Sequence, residues 1–232
     1  MNAHYTYLLI DVLSVIFPFA FSFEKKIAFF KQWKNMLPAM LFTATLFIVW
    51  DVWFTGMGIW SFNEKYVTGY HLINLPIEEW LFFICIPYSC VFIYECLLFY
   101  FKLREKNDWG WKLLLPLGIV LLAAGFMNSY KAYTFTAFTF CGLLLVLLYL
   151  LRNRLYHFHA AGFVYAYLIS LVPFFIVNGL LTALPVVQYN DTENLGVRIY
   201  TIPVEDSFYG MLLLLCNIAG MEWLRGRRSN KA

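Results

Sequence analysis

The 232-residue chain is 62% hydrophobic and 21% aromatic with only 13% charged residues, which leaves too little polar surface for a soluble domain of this size. An integral membrane protein is expected. The formal net charge of +3 is small and unevenly distributed, so it speaks to topology and gives no argument for nucleic-acid binding.

In chain order, apolar runs near residues 3–22, 36–55, 80–101, 113–127, 132–151, 161–181 and 206–224 approach the roughly 20 residues that carry a helix across a bilayer, the fourth being short. The first run has no basic segment ahead of it and contains Asp11, so it reads as a retained anchor and not as a secretory signal. Basic residues then fall on alternate connections. Lys25, Lys26, Lys31 and Lys34 follow the first run, and Lys102, Arg104, Lys106 and Lys112 the third. Arg152 and Arg154 follow the fifth, and Arg225, Arg227, Arg228 and Lys231 the seventh. The opposite connections hold only Lys65, Lys131 and Arg198, fourteen against three. The positive-inside rule then gives seven spans with the N-terminus outside and the C-terminus cytoplasmic. An even number of spans would break this alternation. Cys85, Cys90, Cys96, Cys141 and Cys216 all lie in apolar sequence without a Cys-x-x-Cys pair, as buried small hydrophobes do. His157 and His159 have no neighbouring acid or cysteine, so no metal site is expected there.

The second run ends in Trp50-Asp51-Val52-Trp53, which puts an acid just below the outer interface, where it is costly unless paired or used. A long aromatic connection follows and leads into Pro76-Ile77-Glu78-Glu79 at the head of the third run. The pattern returns 127 residues later as Pro203-Val204-Glu205-Asp206. The same offset carries Phe47 to Phe174, Asp51 to Asn178, Thr55 to Thr182, Asn63 to Asn190, Gly69 to Gly196 and Glu95 to Glu222. The chain therefore reads as two related three-helix repeats, 1–106 and 132–232, with a linking helix in 107–131. One extra helix between them makes equivalent helices run in the same direction, a parallel repeat about an axis near the membrane normal.

Carboxylates beside a helix N-terminus are favoured by the macrodipole, and Pro-x-Glu-Glu starts a helix well in any protein, with proline at the first helical position. Capping alone would tolerate Ser or Thr equally. Two copies, each with a polar partner at the same offset on the preceding helix, point instead to a shared site in which Glu78, Glu79, Glu205, Asp206, Asp51 and Asn178 lie at one depth. Carboxyl groups crowded in low dielectric cannot all ionise, so the cluster is expected to keep at least one proton near neutral pH. An acid beside a base within hydrocarbon suggests proton addition to and removal from a lipid, with nearby aromatic faces stabilising a transient carbocation. Trp53, Trp60 and Phe82, with Asn63 and Asn190 of the outer connections, are the supporting candidates. Glu95 and Glu222, about 24 Å further along their helices at 1.5 Å per residue, are expected to pair at the cytoplasmic interface, Glu222 with Arg225 and Glu95 toward Lys102.

The twin motifs, Trp50-Asp51-Val52-Trp53, the run Asn74-Leu75-Pro76-Ile77-Glu78-Glu79-Trp80-Leu81-Phe82-Phe83 and the two-half, seven-helix plan resemble the flavin-independent, membrane-integral lycopene cyclases in their fused form. The resemblance implies a multi-pass cell-membrane enzyme of carotenoid biosynthesis. Such an enzyme turns the ψ ends of lycopene into β-ionone rings, by way of a monocyclic intermediate and without a cofactor. It also implies that Glu78, Glu79, Glu205 and Asp206 are the motif carboxylates. Exchange of Glu78 or Glu205 for Gln is expected to abolish turnover with the protein still inserted. The expected partners are lycopene and membrane lipid, with homo-oligomers or association with other carotenoid enzymes left open. No dinucleotide-binding glycine fingerprint is present, Gly56-Met57-Gly58 lacking its third glycine. A proton-coupled transporter and a carotenoid hydratase remain the competing readings, the first predicting acids nearer the midplane.

Overall fold

The computed structural model describes residues 3–105, 108–155 and 157–229; Lys106 and Lys231, counted above among the basic residues, lie outside them. Among the described residues the chain forms seven α-helices: α1 (Thr6–Phe21), α2 (Trp33–Gly56), α3 (Ile77–Tyr100), α4 (Trp111–Met127), α5 (Ala132–Leu150), α6 (Ala160–Ala183) and α7 (Val204–Ser229). All but α4 are long and apolar enough to cross a membrane, and α4 is a shorter apolar helix. The protein is an all-α integral membrane protein. Leu41, Phe42, Val49 and Trp53 on α2 and Leu168, Val172 and Ile176 on α6 point outward, as lipid-facing side chains do.

Small residues set one helix pair. A Cβ on Gly142 of α5 would stand 2.6 Å from the Gly118 carbonyl oxygen of α4, so only glycine lets these backbones meet. That contact fastens α4 to the second half.

Short strands cover the end of the bundle where the acids lie. β1 (Trp60–Phe62) pairs antiparallel with β4 (Val187–Tyr189), and Ser61 faces Gln188, its own counterpart at the 127 offset. A segment that pairs antiparallel with its own repeat places a twofold axis between the strands. The flanking bonds obey the same symmetry: Asn63 N–H donates to the Val186 carbonyl at 2.9 Å and Asn190 N–H to the Ile59 carbonyl at 2.8 Å. Two hairpins follow, β2 (His71–Leu72) with β3 (Leu75–Pro76), and β5 (Arg198–Ile199) with β6 (Ile202–Pro203). Their turns hold Ile73 and Tyr200 at φ of 64° and 60°, conformations that side chains of this kind rarely adopt and that both halves share.

Both prolines sit one position earlier than the sequence suggests. Pro76 is the N-cap of α3, with ψ of 149°, and the helix begins at Ile77. Pro203 likewise ends β6, ahead of α7. The cause is the hairpin, which keeps the backbone extended through the proline. The acids therefore occupy the second and third helical positions, where a carboxylate can meet free N–H groups and the chain that crosses above them.

Candidate active site

The paired acids of each motif part company on the first turn of their helices. Glu78 turns toward the outer connection and accepts a hydrogen bond from Thr68 N–H at 2.7 Å. Glu205 does the same with Leu195 N–H at 2.7 Å, the residue 127 positions after Thr68, and also accepts from Thr134 Oγ1 at 2.6 Å. Both are fully buried, and neither lines the main cavity. They tie the connection to the helix start.

Glu79 and Asp206 turn the other way, into a cavity of about 160 Å³ that both halves build. Asp51, Glu79, Trp60, Phe62 and Phe82 reach it from the first half, with Tyr133, Asn178, Tyr189, Asp206 and Tyr209 from the second. It continues inward between α3, α6 and α7 from Glu79 to Ile93, about 21 Å at 1.5 Å per residue. Most of this wall is apolar. Pro87 of α3 and Pro173 of α6 lie along it, where a helix interrupted by proline borders a cavity and not lipid.

The two pocket acids have different surroundings. Asp51 and Glu79 are buried neighbours that line the same cavity and interact electrostatically. Tyr7 OH donates to Glu79 Oε2 at 2.5 Å, and Trp60 Nε1–H donates to Asp51 Oδ1. Asp51 Oδ2 is buried with no N–H or O–H directed at it. Two buried carboxyl groups this close to each other cannot both ionise without cost, so the pair is suited to holding one acid proton. Asp206 has no carboxyl partner, because the counterpart of Asp51 is Asn178. Its two oxygens instead accept phenolic O–H groups, from Tyr133 at 2.5 Å and Tyr189 at 2.8 Å. Two phenolic donors offset part of the cost of burying this carboxylate. Burial and then the neighbouring Asp206 charge push the Tyr189 phenol well above its ordinary pKa, so this donor keeps its proton through neutral and mildly alkaline pH.

The supporting candidates divide. Trp60 and Phe82 line the cavity, and Asn178 stands in its wall. Trp53 is 64% exposed on the lipid-facing side of α2, away from the cavity. Asn63 and Asn190 are turn residues, their Oδ1 atoms accepting Lys65 N–H at 3.0 Å and Thr192 N–H at 3.1 Å. Tyr7, Tyr133 and Tyr189 were not singled out from the sequence. Tyr7 and Tyr133 are counterparts at an offset of 126, because the halves differ by one residue between their first two helices. A search allowing that shift would find them. Asp11 is fully buried beside Glu78 with neither oxygen bonded, and its position in the second half is occupied by Ala137.

At the opposite end, Arg225 bonds both Glu222 at 2.8 Å and Glu95 at 2.6 Å, and Arg104 also reaches Glu222. Glu95 therefore pairs with Arg225 and not toward Lys102, since α7 stands beside α3 there and brings the guanidinium across. His159 caps α6 by accepting from Gly162 N–H at 2.9 Å. Among the described residues no group of three His, Cys, Asp or Glu is placed to hold a metal ion.

A family model described as lycopene cyclase matches residues 4–97 and 130–224, one match on each half, with α4 falling between them. No curated protein and no solved structure matches the chain.

Proposed function

The chain belongs to the lycopene cyclase family, whose activity is carotenoid cyclisation within the membrane, and from that premise we propose that it closes the ψ ends of lycopene to β-ionone rings by proton transfer in the shared cavity. The observation that carries this reading is the unequal setting of its acids: two neighbouring buried carboxyls, Asp51 and Glu79, on one side and Asp206, held by two phenols, on the other.

Glu79, backed by Asp51, donates its proton to C2 of the terminal C1=C2 bond and leaves a tertiary cation at C1. The C5=C6 π electrons form the C1–C6 bond, and the charge moves to C5. Asp206 removes the proton from C6, and that electron pair becomes the C5=C6 double bond of the β ring. One proton enters and one leaves, so no electron acceptor is needed. Loss of a different proton would give an ε or γ ring, which makes the reach of Asp206 the determinant of the product. The faces of Trp60, Phe62, Phe82 and Tyr209 stabilise the intermediate cations through their quadrupoles. Glu78 and Glu205 act as positioning residues that fix the first turns of α3 and α7. The two halves, 1–106 and 132–232 around a linking segment at 107–131, work as one unit in the cell membrane.

Expression in a lycopene-accumulating host, followed by pigment chromatography, tests the assignment. Monocyclic and bicyclic β-ring carotenoids are the expected products. A hydroxylated product would mean that water traps the cation, and unchanged lycopene with the protein present in membranes would defeat the proposal.

A further inference from the structure

The twofold relation makes two equivalent spaces: one between α6, α7 and α3, and its counterpart between α2, α3 and α7. The first is the inner part of the cavity. Phe174, Val177 and Leu181 of α6 and Gly210 of α7 line it. Their counterparts at the 127 offset are Phe47, Trp50, Phe54 and Phe83, and none of these lines that cavity. They pack on one another instead. Phe47 lies 5.7 Å from Trp50 and 6.0 Å from Phe83 between ring centroids, and Trp50 lies 5.7 Å from Phe54. Phe47, Phe54 and Phe83 are each at most 3% exposed.

The change in volume is concentrated at two positions. Trp50 corresponds to Val177, and Phe83 corresponds to Gly210. A Cβ built on Gly210 would already stand 3.2 Å from the Phe174 ring, so a larger side chain there would compete with Phe174 for the cavity wall. The backbone symmetry is kept while one of the two spaces is filled with rings.

We infer that the chain has a single cyclisation chamber, opened by Val177 and Gly210 and closed in the other half by Trp50 and Phe83, and that the two ends of the polyene are cyclised in separate binding events. This rests on the cyclase reading above. A long, rigid polyene cannot place both ends at one chamber, so after the first ring forms the molecule must leave and return with its open end inward. The monocyclic carotenoid is then a free intermediate in the bilayer, which competes with lycopene for the same chamber.

An isotope chase tests this on the wild-type enzyme. Membranes containing the full chain receive isotopically labelled lycopene, and a large excess of unlabelled lycopene is added once the labelled monocycle appears. The expected result is that labelled bicyclic product is suppressed by the dilution factor while labelled monocycle persists. Labelled bicycle forming at the unchased rate, or an unchased sample that stops at the monocycle, would overturn it. An unchased sample with no ring-bearing product at all would remove the cyclase reading itself, an outcome distinct from the other two.

Discussion

Glu78 and Glu79 are adjacent residues with the same chemistry and opposite surroundings, as are Glu205 and Asp206. On a helical turn neighbouring side chains diverge, so one member of each pair meets the connection above and the other the cavity. Glu79→Gln and Asp206→Asn should therefore each lower turnover by about 10²–10⁴-fold, the range of general acid–base catalysis, with the protein still present in membranes. Glu78→Gln and Glu205→Gln keep a carbonyl oxygen that can accept from Thr68 and Leu195, and, in place of the abolished turnover expected from the sequence alone, should stay within about tenfold of wild type, because both side chains bond the connection and do not line the cavity. Cyclised carotenoid per unit of membrane-inserted protein distinguishes the two pairs. Tyr189→Phe removes one of two donors to Asp206 and should lower turnover by about 10–100-fold, corresponding to roughly 1.5–3 kcal/mol for a hydrogen bond to a charged group. The motif acids and Asp51 were legible in the sequence because carboxylates within apolar sequence stand out. Tyr7, Tyr133 and Tyr189 were not, because tyrosine is common in this chain and the one-residue shift between Tyr7 and Tyr133 hides their equivalence. Which acid of each pair enters the cavity was also hidden, since that depends on the chain crossing above the helix.

Helices were the readable elements. Apolar runs and the charges that interrupt them mark the spans, and the observed helices extend most of those runs by a few residues at one or both ends. The strands were not readable, because segments of two or three residues carry no usable alternation. Yet the β1–β4 ribbon sits on the twofold axis and brings Trp60 to Asp51 and Tyr189 to Asp206, so the elements least visible in the sequence align the two halves of the site. The opposite ends of α3 and α7 are fastened by charge. Glu222 is fully buried and bonded to Tyr94, Arg104 and Arg225. Glu222→Gln should destabilise the protein by about 1.5–3 kcal/mol and leave the spectrum of carotenoid products unchanged. Thermal unfolding in detergent, alongside pigment analysis, checks both parts.

At the scale of the molecule, a near-symmetric backbone carries an asymmetric set of side chains. The repeat, the parallel direction of its helices and the segregation of basic residues away from the acids all follow from the sequence and agree with the bundle observed. The asymmetry was harder to see, because Asp51 with Asn178, Trp50 with Val177 and Phe83 with Gly210 read as ordinary divergence until the cavity shows what each exchange does. In the mechanism we propose, they leave one chamber, with an acid contributed by the first half and a base by the second. Cyclisation of lycopene in deuterated water tests that claim most directly. The acid proton exchanges with solvent and is delivered to carbon, so mass spectrometry should find one deuterium at C2 of each ring formed. Rings formed without deuterium would contradict proton donation from the Asp51–Glu79 pair.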